Sequence, residues 1–182
     1  MIKPLILWGG NDIDSTIYGE PPLVGYIQHP NKHRDRVEIA EYERAVKNKC
    51  PIIGICRGAQ LVCALNGGKL IQHSIPETFN HDIYTKDGHV LPRVPSAHHQ
   101  IMVPQGNFEL LAWDVGQSKV MHKPGEWGVV ENTPEVLWYP EIRAFCVQGH
   151  PEWGGVNTPF INWIDRKLKE FEIDFSFNAY NG

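Results

Sequence analysis

The chain has 182 residues, a length that predicts one domain, spanning residues 1–182, around one hydrophobic core. The formal net charge of −4 gives no electrostatic reason to expect binding to nucleic acid or to an anionic membrane. The cysteines lack the spacing of a disulfide scaffold or a zinc site, which indicates free thiols. We find no signal peptide and no apolar run long enough to span a membrane, so we expect a cytoplasmic protein.

Apolar runs alternate with helical patterns in the first third of the chain. Pro4 to Trp8 is a short apolar run before a Gly-Gly turn, which indicates a buried strand. Residues 34–49 mix apolar and charged residues as a surface helix does. Residues 51–55 predict a second buried strand, and residues 57–66 predict a helix that ends at Gly67-Gly68.

The rest of the chain contains one region without clear periodicity, followed by strands and a final helix. Residues 69–106 are rich in His, Pro and Asp, which predicts loops and small strands over the site. Residues 129–131, 136–139 and 144–148 predict strands, and residues 158–171 predict a helix with one apolar face. This alternation predicts an α/β fold around a mostly parallel sheet, in which ligands bind beyond the carboxyl ends of the strands.

Cys56 stands between a predicted strand and a predicted helix, in the segment Gly54-Ile-Cys-Arg-Gly-Ala-Gln60. A sharp strand-to-helix turn needs small residues, and this segment is typical of a nucleophile elbow. The positive helix end is expected to lower the pKa of the thiol, and the amide of Arg57 can point at a developing oxyanion. The structural alternative is a buried Cys that only fills space at a strand end.

His150 and Glu152 lie two residues apart, directly after a predicted strand. In an extended backbone such residues point to the same side, and Pro151 keeps the segment extended. The carboxylate can then orient the imidazole while the other ring nitrogen faces a thiol, as in a catalytic triad. For this segment alone, a surface loop with an unrelated His and Glu is the alternative. A parallel sheet would bring it to the same edge as Cys56.

Five segments together indicate a protein family, although any one of them alone could occur by chance. They are Gly9–Asp14 with Tyr18-Gly-Glu20, Arg34-Asp35 with Glu38, Gly54–Gln60 with Asn66-Gly-Gly68, Ser96–Gln100, and Val147–Glu152. In this order they resemble the class I glutamine amidotransferases, in particular the γ-glutamyl-γ-aminobutyrate hydrolase (peptidase C26) branch. The resemblance extends over nearly the whole chain.

The resemblance implies a flavodoxin-like sheet flanked by helices and a set of site residues. The implied catalytic residues are Cys56, His150 and Glu152. The implied oxyanion hole consists of the N–H groups of Gly10 and Arg57. The implied substrate-binding residues, which would contact the glutamyl α-amino and α-carboxylate groups, are Gln60, Ser96, His98 and His99.

Two features depart from the family pattern. The branch usually has an additional strand–helix unit ahead of the segment Gly9–Asp14, which we call the glycine loop. Here eight residues precede Gly9. We therefore expect an N-terminally shortened sheet that is smaller, or whose edge is covered by a partner chain. Gly149 stands where the family often has a bulky aromatic residue, which affects the shape of the pocket more than its chemistry.

The chain contains nine histidines, some of which could form a metal-binding site. His98-His99, or His73 with His81, could ligate zinc, but the sequence lacks a helix-spaced pair or a Cys/His set, so we expect neither metal nor cofactor. His98 and His99 are explained equally well as residues that face the substrate and as hydrogen-bonded anchors of a loop. Asp12 and Asp14 are expected to cap the following segment or to order the glycine loop, rather than to act in catalysis.

Three functional hypotheses follow. The first is a hydrolase that cleaves the γ-amide of glutamine or a γ-glutamyl amine through a cysteine thioester, with a small molecule as its substrate. The second is a glutaminase subunit that supplies ammonia to a separate synthase partner, since the chain contains no acceptor domain. The third is a non-catalytic binding protein on the same scaffold. A homo-oligomer is compatible with each hypothesis.

Overall fold

The computed structural model describes residues 3–75, 78–153 and 158–181. The strands in chain order are β1 (Leu5–Leu7), β2 (Ile52–Ile55), β3 (Lys69–Ile71), β4 (Ser74–Ile75), β5 (Thr78–Thr85), β6 (Val90–His98), β7 (Ile101–Val103), β8 (Glu109–Asp114), β9 (Ser118–Lys123), β10 (Glu126–Val130), β11 (Thr133–Tyr139) and β12 (Ala144–Val147). The helices are α1 (Lys32–Lys47), α2 (Arg57–Leu65), α3 (Thr158–Glu170) and α4 (Phe177–Asn181).

The main sheet has seven strands in the order β1-β2-β12-β11-β8-β5-β6. The first three are parallel, with Ile52 of β2 paired to Leu5 on one side and to Ala144 on the other. The ladders from β12 to β6 are antiparallel. Every residue of β2 is buried, as expected of a parallel strand covered on both faces. The carboxyl ends of β2 and β12 therefore lie side by side at one edge of the sheet.

Helices cover both faces of the parallel strands. Because side chains alternate along a strand, Ile53 and Ile55 belong to one core, which they share with the apolar face of α3. Ile52 belongs to the other core, which it shares with α1 and α2. Across the described ranges, no helix combines the length and the apolar character that crossing a bilayer would need. The α/β, flavodoxin-like class predicted from the sequence is confirmed.

Residues 69–106 were expected to form loops and small strands, and in part this is wrong. β5 and β6 are the longest strands described, and they extend the main sheet beyond β8. Their pairing contains register shifts around His81, and Asn80 and Arg93 have positive φ angles of 30° and 51°. Such bulges interrupt the alternation of apolar and polar residues, which is the sequence signal of a strand.

Candidate active site

Cys56 lies in a strained turn between β2 and α2. Its φ of 49° and ψ of −110° are unusual for a residue with a side chain. Its N–H donates to the carbonyl of Val147 at 2.7 Å, which joins the turn to the end of β12. The turn leaves no room for larger neighbours: a Cβ on Gly58 would lie 2.0 Å from the carbonyl oxygen of Leu7. The small residues of the segment are therefore required by packing.

His150 follows β12 and is held on three sides. Its N–H donates to the carbonyl of Pro95 at 2.8 Å. Its Nδ1 lies 2.7 Å from Oε1 of Glu152, and both side chains are largely buried. Its ring stacks on Trp153 with a centroid distance of 3.9 Å and an interplanar angle of 5°. The imidazole therefore has a fixed orientation, with Nε2 as the nitrogen that does not face Glu152.

The structure brings Cys56 and His150 together across Gly9. A Cβ on Gly9 would lie 3.5 Å from Cβ of Cys56 and 3.1 Å from Cε1 of His150. The two side chains are therefore neighbours, at the edge where the parallel strands end. Gly9 belongs to the loop after β1, so three neighbouring strands of the sheet contribute to this point.

Burial has the largest effect on the pKa of the Cys56 thiol. It raises the pKa of Cys56 to about 12, whereas the backbone N–H of Arg57 acts in the opposite direction. The carboxylates of Glu152, Glu135 and Asp12 raise this pKa further. The expectation that the helix N-terminus would lower the pKa is therefore wrong, because desolvation of a thiolate outweighs the helix dipole here. At neutral pH the resting sulfur carries its proton.

Ion pairs join the turn at Cys56 and Arg57, here called the nucleophile turn after its predicted role, to the start of α1. The guanidinium of Arg57 is almost fully buried and pairs with the carboxylates of Asp35 and Glu38. Arg34 shares this cluster through a 2.8 Å contact of its Nε with Glu38. Buried charges need such partners, because an unpaired ion in the interior is costly. The charged start of α1 therefore fixes the position of the residue that follows the cysteine.

The same cluster reaches the glycine loop. Nη2 of Arg34 donates to the carbonyl of Trp8 at 2.8 Å. Gly10 has a φ of 145°, and a Cβ there would lie 2.3 Å from Nη1 of Arg34. A side chain at position 10 would thus collide with the guanidinium. Gly10 and Arg57, the two predicted oxyanion donors, are held by one network of arginines and carboxylates.

A cavity of about 250 Å³ opens beside Cys56. Five predicted site residues line it: Gly10, Cys56, Gln60, His98 and His99. Ala97 and Gln100, from the predicted segment Ser96–Gln100, line it as well. The sequence had not indicated Gln28, and Asp12 had been expected only to cap the following segment or to order the glycine loop. Ser96 is absent from the lining. It is buried, and its Oγ lacks a hydrogen-bond partner within the described ranges.

Polar contacts within the wall hold the lining residues in place. Oδ1 of Asp12 lies 3.1 Å from Nε2 of His99. Oδ2 of Asp12 accepts a hydrogen bond from the N–H of Gln28 at 2.7 Å. Asp12 therefore orders the glycine loop, as the sequence suggested, and also presents a carboxylate to the cavity. Gln60 donates to Oε1 of Gln148 at 3.3 Å. His99 is both a loop anchor and a lining residue.

A buried cluster behind the cavity was not predicted from the sequence. Oε1 of Glu135 lies 3.2 Å from Nε2 of His81 and 3.6 Å from Nε2 of His98. Burial would raise the pKa of Glu135, but its two histidine neighbours outweigh burial and lower this pKa to about 2. Glu135 is therefore a carboxylate at neutral pH. The three residues come from β5, β6 and β11, so no short spacing in the sequence could indicate them.

Gly149 occupies a space that is already full. A Cβ there would lie 2.7 Å from Cγ1 of Val94 and 3.0 Å from the carbonyl oxygen of Pro95. An aromatic side chain before His150 would therefore collide with β6. A glycine replaces the aromatic residue of the family pattern here because β6 packs closely against the segment before His150.

Two known proteins with similar sequences carry glutamine amidotransferase names. A Mycobacterium tuberculosis protein named as a glutamine amidotransferase is 31% identical over 162 residues, or 77% of this chain and 51% of that protein. The glutamine amidotransferase-like protein YvdE of Lactococcus lactis is 28% identical over 172 residues, or 84% of this chain and 66% of that protein. This chain thus spans between half and two thirds of these relatives' length.

One solved structure with a similar fold is that of PurLQS from Thermotoga maritima. It superposes with a TM-score of 0.50 and 19% identity, over 82% of this chain and 68% of that chain. At this identity the similarity shows the fold alone. The sequence profile described as Peptidase C26 matches residues 1–152, a range that ends at Glu152. The chain therefore belongs to the peptidase C26 family.

Proposed function

We propose that the chain is a cysteine-dependent hydrolase of the γ-amide of glutamine or of a γ-glutamyl amine. The observation that carries this proposal is the meeting of Cys56 and His150 beside Gly9, with Glu152 at 2.7 Å from the imidazole. The cavity next to the sulfur, about 250 Å³ in volume, suits a small substrate. Membership of the peptidase C26 family favours amide hydrolysis or amide transfer in general.

In the first step the sulfur of Cys56 attacks the γ-carbonyl carbon, and a C–S bond forms. Because the resting thiol is protonated, its proton passes to Nε2 of His150 as the bond forms. Glu152 faces Nδ1 and stabilises the imidazolium that results. The carbonyl oxygen becomes an oxyanion, and the electron pair of the C=O bond moves onto it.

The oxyanion is stabilised by the N–H groups of Gly10 and Arg57. Each such donor typically contributes about 3 kcal/mol to the transition state. The network of Arg34, Glu38 and Asp35 supports this role, since it holds the glycine loop and the nucleophile turn against each other. Preorganised donors of this kind need no rearrangement during the reaction.

The tetrahedral intermediate collapses when the C–N bond breaks. The imidazolium of His150 gives its proton to the departing ammonia or amine, and a thioester of Cys56 remains. Water then attacks the thioester and gives a proton to His150, which passes it to the departing sulfur. Glutamate is released, and the thiol is restored.

Polar groups of the cavity wall are proposed to hold the glutamyl part of the substrate. Asp12 supplies a carboxylate for the α-ammonium group, and Gln60 supplies an amide for the α-carboxylate. His98 and His99 present imidazoles to the same cavity. Ser96 does not line the cavity, so we assign it to the support of the loop instead.

A glutaminase subunit that feeds a synthase is the second candidate. It is favoured by an open apolar groove that includes Ile75, Trp127 and Val129, which are all partly exposed. The ring of Trp127 contacts that of His73, and His73 in turn contacts His99 of the cavity. A partner docked on this groove would lie close to the site where ammonia is released.

The test is an assay of glutamate and ammonia or amine release from glutamine and a panel of γ-glutamyl amines. Cys56→Ala is expected to abolish release. Cys63→Ala, which removes a buried thiol of the helix that follows, should retain it. Release that survives in Cys56→Ala would contradict the proposal. Release from glutamine that rises when a copurifying synthase is added back would favour the subunit hypothesis.

A further inference from the structure

Three potential metal ligands converge behind the cavity wall. His81, His98 and Glu135 each offer one ligand atom, and these atoms lie within 4.8 Å of one another. Glu135 is 2% exposed and His98 is 7% exposed, so the point between them is shielded from water. The cluster is separate from Cys56 and from the groups proposed to act in hydrolysis. It meets the active site at His98, which also lines the cavity, and the charge of Glu135 acts on the thiol of Cys56.

The orientation of His98 turns its Nε2 toward the carboxylate of Glu135. Its Nδ1 lies 2.9 Å from the carbonyl oxygen of Gln100, which can only accept a hydrogen bond. Nδ1 therefore carries the hydrogen, and in the neutral ring Nε2 is an acceptor. This Nε2 lies 3.6 Å from Oε1 of Glu135. A cation placed between these two atoms would be bound by both.

Directed hydrogen bonds do not account for the rest of the cluster. Within the described part of the chain, neither ring nitrogen of His81 has a hydrogen-bond partner, although Nε2 lies 3.2 Å from Glu135. Oε2 of Glu135 is also without such a partner there. Buried polar atoms are nearly always satisfied, so this group of atoms requires an explanation. A cation at the centre would be bound by one nitrogen of His81 and by the carboxylate of Glu135, because it needs lone pairs rather than N–H groups.

We propose that His81, His98 and Glu135 bind a divalent transition-metal ion, with zinc as the best match. Two imidazoles and one carboxylate are a common zinc ligand set. Ligand atoms bound at about 2.0–2.1 Å in a tetrahedral site lie roughly 3.3 Å apart, close to the observed 3.2 and 3.6 Å. The carbonyl that orients His98 through Nδ1 is the second-shell contact that metal-binding histidines usually have.

The position of the ion suggests what it does. His81 lies on β5, Glu135 on β11, and His98 at the end of β6, where the chain turns into the cavity wall. A metal there would tie the loop of residues 98–100 to β11 and thereby fix the imidazole of His98 in the cavity. This is a structural role.

The test measures zinc binding to the full chain, without an affinity tag, in a Cys56→Ala background that removes the active-site thiol. One equivalent of zinc is expected in a competition titration with a chromogenic chelator. Glu135→Gln and His81→Asn should each weaken binding at least about 100-fold, because each removes a direct ligand. His33→Asn is the matched control, since it removes an exposed imidazole on α1 and should bind like the parent.

A second measurement does not depend on whether the variants fold. Cobalt(II) added to the Cys56→Ala chain should produce the visible absorption bands of a tetrahedral site without thiolate charge-transfer bands. Failure of the Cys56→Ala chain to bind zinc, or equal binding by folded Glu135→Gln, would overturn the proposal in favour of a proton shared within the cluster. Cobalt spectra with thiolate bands would overturn it too, because the metal would then be bound by cysteine.

Discussion

Nδ1 of His150 lies 2.7 Å from Oε1 of Glu152, although only Pro151 separates the two residues in the chain. One short segment after β12 thus supplies both an imidazole and the carboxylate that orients it. The partner of the imidazole, Cys56, comes from the adjacent parallel strand, about ninety positions earlier in the chain. The pairing of β2 with β12 is what brings these groups to one point.

Glu152→Gln tests the orienting role of the carboxylate. The amide keeps the shape of the side chain but does not stabilise an imidazolium, so we expect kcat to fall about 10²- to 10⁴-fold. KM should change little, because Glu152 is absent from the lining of the cavity. Steady-state kinetics with circular dichroism as a folding control would measure this. A kcat within threefold of the parent would contradict the role.

Arg57→Ala tests the buried ion-pair cluster. The substitution leaves Asp35 and Glu38 without a central partner, and loss of one partner of a buried pair typically costs about 3–5 kcal/mol. Arg44→Ala is the control, because that guanidinium is 72% exposed and its contact with Glu41 is 4.0 Å long. We expect the control to change the free energy of unfolding by less than about 1 kcal/mol. Urea denaturation would measure both, and equal effects would refute the assigned importance of the cluster.

The raised pKa of Cys56 predicts how its alkylation depends on pH. In the free enzyme burial favours the protonated thiol, so the thiolate fraction grows only as the pH approaches about 12. The rate of iodoacetamide reaction at this residue should therefore still rise at pH values where free cysteine, with a pKa of roughly 8.5, has reached its plateau. Peptide mass spectrometry distinguishes Cys56 from the other thiols. A plateau below the pH at which free cysteine reaches its own would contradict the prediction.

The same shift predicts a loss of stability at alkaline pH. A thiol whose pKa is higher in the folded than in the unfolded state binds a proton that the unfolded chain releases first. The thiol's contribution to the free energy of unfolding is constant below the pKa of the unfolded state. It declines as the pH rises from that value to the folded-state pKa of about 12. Cys56→Ser should reduce this alkaline decline in the free energy of unfolding. Identical alkaline slopes for the two proteins would show that the thiol makes no such contribution.

Gly58→Ala tests the packing of the nucleophile turn. The added Cβ would meet the carbonyl oxygen of Leu7 at 2.0 Å, and this backbone atom cannot move without disturbing β1. We expect a loss of more than about 2 kcal/mol of folding free energy. Gly67→Ala is the comparison, since its Cβ would meet nothing within 4 Å and only its φ of 82° is unfavourable. A smaller effect at position 58 than at position 67 would mean that the turn is loosely packed.

The parallel part of the fold could be predicted because its signals are local. β1, β2 and β12 are short apolar runs, and α2 begins directly after a strand and ends at a glycine pair. β5 and β6 could not be predicted in the same way, because the backbone bulges near His81 and Arg93 disrupt the alternation of side chains. β8 and β9 were missed as well; β8 pairs with strands distant in the sequence, whereas β9 pairs mainly with the next strand, β10.

The proximity of Cys56 and His150 could be predicted from the sequence, but the pKa shift of the thiol could not. The segments around Cys56 and His150 carry recognisable chemistry, and strand pairing explains why they meet. The sign of the shift in the thiol pKa depends on burial by the surrounding chain, which no local pattern reveals. The cluster of His81, His98 and Glu135 was missed for a related reason, since three separate strands contribute to it.

The most direct test of the proposed function is covalent labelling by a glutamine analogue with an electrophilic ketone in place of the γ-amide. Intact-mass and peptide analysis should find one label, on Cys56, and glutamine or the preferred γ-glutamyl amine should protect against it. His150→Ala should slow the labelling, because the thiol then lacks the base that accepts its proton. Labelling that spares Cys56, or that substrate fails to prevent, would contradict the account of this site.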